Sequence, residues 1–224
     1  MAKKTSVKER QKQFQESIVL YYERDGRHDL PWRKTKDPWL IMLAEMLLRK
    51  TAAVQVQPVY LELSTKSPNE IALMSLSDLE ILLNPLGIYK ERAVLIKQAA
   101  EIASDVEKEK FRSTEFLGSI KGVGPYNINA VLCFAFGEPK PALDRNMIRI
   151  LDRVFSLKSE KSRPHTDKLL WEKASLFVPI DNPKDYNWGV LDLSSALCRP
   201  NSPKCSHCPL NAVCDYSNSL TNKT

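Results

Sequence analysis

Glycine is scarce in this chain. Only 7 of 224 residues are glycine against 14 proline, which excludes long flexible connections and points to short, stiff ones. Nothing is repetitive or of low complexity, so a repeat array is excluded. No apolar run is long enough to span a bilayer: the longest, Trp39 to Leu48, is broken by Glu45. The first residues carry Lys3, Lys4, Lys8, Arg10 and Lys12 with no apolar stretch behind them, so no secretory signal is read and a cytoplasmic, non-secreted chain is expected. No convincing run alternates apolar with polar residues, and strands are not needed.

Hydrophobic residues make up 43% and charged residues 27%, the balance of a folded chain rather than a disordered one. The length suits one large domain or two small ones. Lys and Arg total 33 against 27 Asp and Glu, and the net charge of +6 points weakly to a polyanionic partner.

Helical spacing dominates, and an all-α fold is expected. Phe14, Ile18, Val19, Tyr21 and Tyr22 recur at three- and four-residue intervals over 9–24. Asp37 and Pro38 read as N-cap and first position of a helix running through Leu48. Ser67-Pro68-Asn69-Glu70 and Ser77-Asp78-Leu79-Glu80 both fit the capping box. Further helices are expected near 90–108, 113–120, 125–136, 144–156, 166–178 and 185–197, with Ser217 to Thr224 polar and frayed. No linker divides the chain, so two lobes would have to be assembled from non-contiguous segments.

Four local patterns carry chemistry. Cys198, Cys205, Cys208 and Cys214 stand in a 6-2-5 spacing, whereas Cys133 lies alone among apolar neighbours as a small core residue. Four clustered thiolates suit zinc or an iron–sulfur cluster, because both prefer soft sulfur ligands. In the second pattern an apolar helix ends at Ile120, Lys121-Gly122-Val123-Gly124 turns, and Pro125 opens the next helix. Glycines at 122 and 124 permit unusual backbone angles and leave no Cβ to obstruct a close ligand, and amides at a helix start suit a phosphate. Third, Asp144 stands about 20 residues beyond the hairpin and reads locally as the N-cap of the 144–156 helix. Fourth, Glu45 has Ile41, Met42, Leu48 and Arg49 as helical neighbours; it either faces solvent or is buried and held protonated.

Together these patterns resemble the helix-hairpin-helix DNA glycosylases of the endonuclease III and MutY superfamily, over about residues 28–216. The likeness is greatest to the Mig-type thymine–guanine mismatch enzymes, to which Leu30-Pro31-Trp32-Arg33, Leu86-Gly87-Ile88-Tyr89 and Asp185-Tyr186-Asn187 are also similar. The resemblance implies two helical lobes with double-stranded DNA, carrying a mismatched or damaged base, in a cleft between them. Residues 29–140 would form a six-helix barrel with the hairpin at about 113–136, and residues 1–28 with 141–224 a lobe holding one [4Fe-4S] cluster on the 198–214 loop. A monomer associated with the nucleoid is expected.

What the resemblance implies for single residues follows their positions in the motifs. Asp144 would be the catalytic carboxylate, with Glu45 and Tyr126 beside it in the chemistry. Arg49, Lys50, Ile88, Tyr89, Gly122, Val123, Gly124, Arg199 and Lys204 would contact DNA, Lys50 and Ile88–Tyr89 at the family's wedge positions. Bifunctional relatives place a lysine where Tyr126 stands, and Lys121 occupies the family's proline position. Tyrosine cannot form a Schiff base, so a monofunctional hydrolase is expected, leaving an abasic site and an intact strand. MutY proteins tend to carry serine at the Tyr126 position and a further C-terminal domain. The preferred reading is therefore removal of thymine or uracil opposite guanine. The alternatives are adenine removal opposite guanine or 8-oxoguanine, and a non-catalytic DNA-binding module stapled by metal.

Overall fold

The computed structural model describes residues 6–221, so Lys3 and Lys4 lie outside the described residues. Among those described there are twelve α-helices, several short 3-10 turns and no strand, as the sequence predicts. None of these helices is long and apolar enough to cross a membrane. The chain separates into two compact units, one from residues up to Arg27 together with Gly137 onward, the other His28–Phe136.

The second unit is built round α2 (Pro38–Leu48), which is apolar on every side and buries Trp39, Ile41, Met42, Leu43, Ala44, Met46 and Leu47. Asp37 caps it, its Oδ1 accepting from the amides of Trp39 at 3.0 Å and Leu40 at 3.3 Å, while Pro38 takes the first helical position. Around it lie α3 (Ala53–Leu63), α4 (Pro68–Leu73), α5 (Leu76–Leu83), α6 (Tyr89–Ala103), α7 (Thr114–Ser119) and α8 (Pro125–Phe136), with α2 packed on α3, α6 and α8.

Three local expectations are corrected here. Helix α3 is absent from the expected set; it forms despite an internal Pro58, because Val56, Val59, Tyr60 and Leu63 are buried on one face. The cap of α5 is Ser75 rather than Ser77, its hydroxyl accepting from the Asp78 amide at 3.1 Å. Helix α6 stops at Ala103 rather than 108, where the Ser104 hydroxyl folds back onto the Ala100 carbonyl at 2.8 Å. The capping box at Ser67 and Glu70 forms as read.

The first unit comprises α1 (Val7–Asp25), α9 (Arg145–Phe155), α10 (Lys168–Ser175), α11 (Pro183–Ala196) and α12 (Asp215–Thr221). Phe14 of α1 meets Phe155 and Phe177 edge-on with ring centroids 4.9 and 5.9 Å away, inside a core that includes Ile18, Ile150, Leu151 and Tyr186. Helices α1 and α11 approach closely because Gly189 has no side chain: a Cβ there would lie 2.7 Å from the Ile18 carbonyl oxygen. The C-terminal segment is ordered as α12 rather than frayed over 217–221, with Asp215 paired to Arg10 and accepting from the Ser156 hydroxyl. Residues 222–224 lie outside the described residues.

Candidate active site and cysteine loop

Asp144 caps α9. Its Oδ1 accepts from the amides of Asn146 and Met147, both at 2.8 Å, and its Oδ2 from the Asn146 side-chain amide at 2.6 Å. The cap reading and a reactive carboxylate are compatible, because the partial positive charge of the helix start favours an anion there. The connection leading in is held from below by the fully buried Asn187, whose Oδ1 accepts from the Ala142 amide at 2.8 Å. Its Nδ2 donates to the carbonyls of Lys140 at 3.1 Å and Pro183 at 2.7 Å. These bonds tie residues 137–142 to α11 and place them in the first unit.

Burial raises the Asp144 carboxyl above its ordinary value, opposed by the Met147 and Asn146 hydrogen bonds and by Arg149. The Arg149 guanidinium donates to the Asn146 Oδ1 at 3.0 Å, which turns the NH₂ of that amide toward Asp144. Its Nε donates to the Cys198 carbonyl at 2.8 Å. Asn146, Arg149 and Asn187 thus belong to the surroundings of Asp144, and none was singled out from the sequence for that purpose. An asparagine two residues after a cap was the one local signal available.

The four cysteines of the C-terminal loop line one shared pocket with Val154, Leu197, Leu210 and Tyr216. No three His, Cys, Asp or Glu side chains among the described residues gather closely enough to hold a single metal ion. The thiols nevertheless feel one another: burial, with the charges of the other three, pushes Cys208 up to about 11, and burial likewise raises Cys214. Arg153 braces the loop, its Nη1 donating to the Cys198 Sγ at 3.4 Å and to the Arg199 carbonyl at 2.7 Å. Arg199 and Lys204 are exposed on the same loop, with the Lys204 amide donating to the Leu197 carbonyl at 2.9 Å. Cys133 is fully buried on α8, in the second unit.

The second unit holds the remaining predicted residues. Glu45 is 9% exposed, so it does not project into solvent. Tyr126, half-buried, opens α8, the helix packed on the one that bears Glu45. In the hairpin, α7 ends and Gly122 takes φ of 89°, the left-handed region that favours glycine. Gly124 meets only one of the two expectations: its φ is not positive, and a Cβ on it would meet nothing within 4 Å. Its role there is an open approach rather than an unusual backbone angle. Val123 is buried and spends its amide on the Ile120 carbonyl at 3.1 Å.

The two loops at the predicted wedge positions are conformationally unusual. Lys50 has φ of 60° and Ile88 φ of 43°, beside Gly87 at 68°. A β-branched residue in this region is disfavoured by about 1–3 kcal/mol and persists only where its surroundings hold it. Arg49 and Lys50 are exposed, Ile88 is 48% exposed and Tyr89 half-buried.

The glycine turn within an all-helical chain sets the class: this is a helix-hairpin-helix protein. The chain belongs to the HhH-GPD superfamily of base excision DNA repair proteins, whose pattern matches residues 43–175. That span holds Glu45, the hairpin and Asp144, and ends before the cysteine loop. A thymine/uracil-DNA glycosylase of Pyrobaculum aerophilum is 43% identical over 209 residues, covering 91% of each chain. A thymine-DNA glycosylase of Aeropyrum pernix is 45% identical, covering 90% of this chain and 92% of its own. An adenine DNA glycosylase of Buchnera aphidicola is 31% identical over 90% of this chain, but only 58% of its own length is matched. Among solved structures, a thermostable thymine-DNA glycosylase superposes with a TM-score of 0.85 at 30% identity, covering 95% of this chain and 98% of the other. An endonuclease III trapped on DNA shares the fold, with a TM-score of 0.73 at 21% identity over 94% and 98% of the two chains.

Proposed function

We propose that the protein is a monofunctional DNA glycosylase that hydrolyses the bond between deoxyribose and a thymine or uracil mispaired with guanine. The observation that carries this reading is the pair of relatives at 43% and 45% identity, named for thymine and uracil and matched over about nine-tenths of both chains. The adenine glycosylases match at lower identity over 41% to 58% of their length, which favours the pyrimidine substrate.

Cleavage builds positive charge on the sugar as the base departs, and the Asp144 carboxylate is the group to face it. The amides of Asn146 and Met147 fix the carboxylate in one orientation, so little reorganisation is needed as charge develops. Oriented this way, Asp144 steadies the oxocarbenium-like carbon and accepts a proton from the attacking water. Tyr126 takes the place where bifunctional relatives carry lysine. It offers a hydroxyl rather than an amine, so the strand is left intact. Glu45, buried on α2, positions water or Tyr126. The base must first leave the stack, which costs a few kcal/mol and is cheapest at a mismatch. Lys50, Ile88 and Tyr89 act on the duplex at that step with Arg49, while the hairpin cradles a phosphate at Gly122 and Gly124, with the intervening Val123 amide already spent on the Ile120 carbonyl.

Cys198, Cys205, Cys208 and Cys214 would hold a [4Fe-4S] cluster. Thiols spread round the wall of a common pocket match a cofactor several ångströms across, and all-sulfur ligation suits it. When bound, the cluster supplies four iron–thiolate bonds that close the loop. Arg199 and Lys204, exposed on the same loop, are the residues to meet phosphate.

Duplexes carrying T·G, U·G, A·G and A·8-oxoguanine, incubated with the protein and then treated with alkali, test the assignment. Strand scission at T·G and U·G alone is expected, with no borohydride-trapped adduct. Cleavage confined to the adenine duplexes would establish the MutY-like alternative, and no cleavage anywhere the non-catalytic one.

A further inference from the structure

Arg92 is 3% exposed and, among the described residues, forms no salt bridge; its two terminal nitrogens are spent on three backbone carbonyls and one hydroxyl, while its Nε is buried without a hydrogen-bond partner. Nη1 donates to the carbonyls of Met46 at 2.6 Å and Leu47 at 2.7 Å, among the last of α2. These are carbonyls that a helix end leaves without partners, and a cation there complements the helix dipole. Nη2 donates to the Arg49 carbonyl at 2.9 Å and the Thr51 hydroxyl at 3.0 Å, on either side of Lys50. The Thr51 hydroxyl in turn donates to the Leu86 carbonyl at 3.0 Å, at the start of the other loop. The Arg92 amide closes the circuit by donating to the Ile88 carbonyl at 3.1 Å.

One buried residue therefore bonds the flanks of two left-handed residues, Lys50 and Ile88, 38 positions apart in the chain (88 − 50). Left-handed conformations at a lysine and an isoleucine do not hold themselves; they need an external frame. A helix end and a second loop are joined here through a guanidinium whose planar fork is rigid and whose donors point in fixed directions.

We infer that Arg92 and Thr51 are positioning residues that lock the Lys50 and Ile88 loops into one preformed pair, so that base extrusion begins from ordered loops. This rests on the proposal that Lys50 and Ile88 act on DNA. It adds that the two act as a single unit, set by bonds that touch no DNA themselves.

Thr51→Val removes the hydroxyl and keeps the shape; Thr51→Ser keeps the hydroxyl. The probe is a T·G duplex with 2-aminopurine beside the mispaired thymine, whose fluorescence rises as the stack opens. Thr51→Val is expected to slow that rise roughly fivefold to tenfold, the worth of one or two hydrogen bonds, and Thr51→Ser to restore it. Hydrogen exchange in the same Val variant should quicken at 86–89, although the substituted residue is 35 positions away. Arg92→Lys, which keeps the charge but loses the fork, is expected to slow the rise as Thr51→Val does. An unchanged fluorescence rise in Thr51→Val, or a Thr51→Ser variant as slow as it, overturns the inference. Lys50→Ala and Ile88→Ala separate the two levels. If they slow extrusion while Thr51→Val does not, only the bracing role fails; if they have no effect, the DNA-contact reading itself fails.

Discussion

Replacing Asp144 by asparagine separates the two jobs this residue holds. As a helix cap, asparagine serves as well as aspartate, and its Oδ1 can accept the same two amides that lie 2.8 Å away. As a charged group it is lost. A carboxylate fixed in a site largely removed from water is worth about 3–4 kcal/mol of transition-state stabilisation, so excision should fall by roughly 10²–10³-fold. Folding should suffer little: asparagine removes the cost of burying the native ion, against which its NH₂ loses the one bond that Oδ2 accepts from the Asn146 side chain. Asp144→Ala gives the contrast: it loses the cap as well, at about 1 kcal/mol, and should melt about 2–4 °C lower. Single-turnover excision from a T·G duplex, followed by alkali and read beside thermal melting and DNA affinity, measures all three quantities. Asp144→Asn turning over within threefold of the unaltered protein, or losing DNA affinity in proportion to activity, would refute the assignment of charge stabilisation to this carboxylate.

Three further outcomes are expected. Asn146→Ala removes a hydrogen bond that lowers the Asp144 pKa, so that value should rise further. Activity needs the ionised form, so the acid limb of the pH–rate profile should move to higher pH; a limb that stays or moves down contradicts this. The stability effect runs the other way. A carboxyl raised in the folded state contributes stability at low pH that is lost as pH climbs through the raised value. If the cysteine loop holds the proposed cluster, Cys205→Ser should abolish the visible absorption that the cluster gives, and an unchanged spectrum would count against ligation by that thiol. Gly189→Ala should cost about 1–3 kcal/mol by forcing α1 from α11, since the new Cβ would stand 2.7 Å from the Ile18 carbonyl oxygen; an unshifted melting curve would exclude that packing.

Helix α3 carries a proline inside and forms because its buried face has somewhere to pack. Of the two properties the hairpin glycines offer, Gly122 uses backbone freedom and Gly124 only open space, because the turn takes its positive φ at one residue. Helix α12 follows a polar stretch that carries no apolar period, and it is ordered by a cation, Arg10, reaching across from α1.

The amino-acid sequence by itself determined the helical class, the Asp37, Ser67 and Asp144 caps, the glycine hairpin and the thiol loop. Each is a local arrangement, written in residues a few positions apart, where spacing and hydrogen-bonding capacity are enough. Only the tertiary structure decided which side chains surround those motifs. Asn187 lies 43 positions beyond Asp144 and Arg92 lies 42 beyond Lys50, counted along the chain (187 − 144 and 92 − 50). No periodicity links such pairs. They meet because helices bury their apolar faces, and the polar groups carried into those contacts must then find partners away from water.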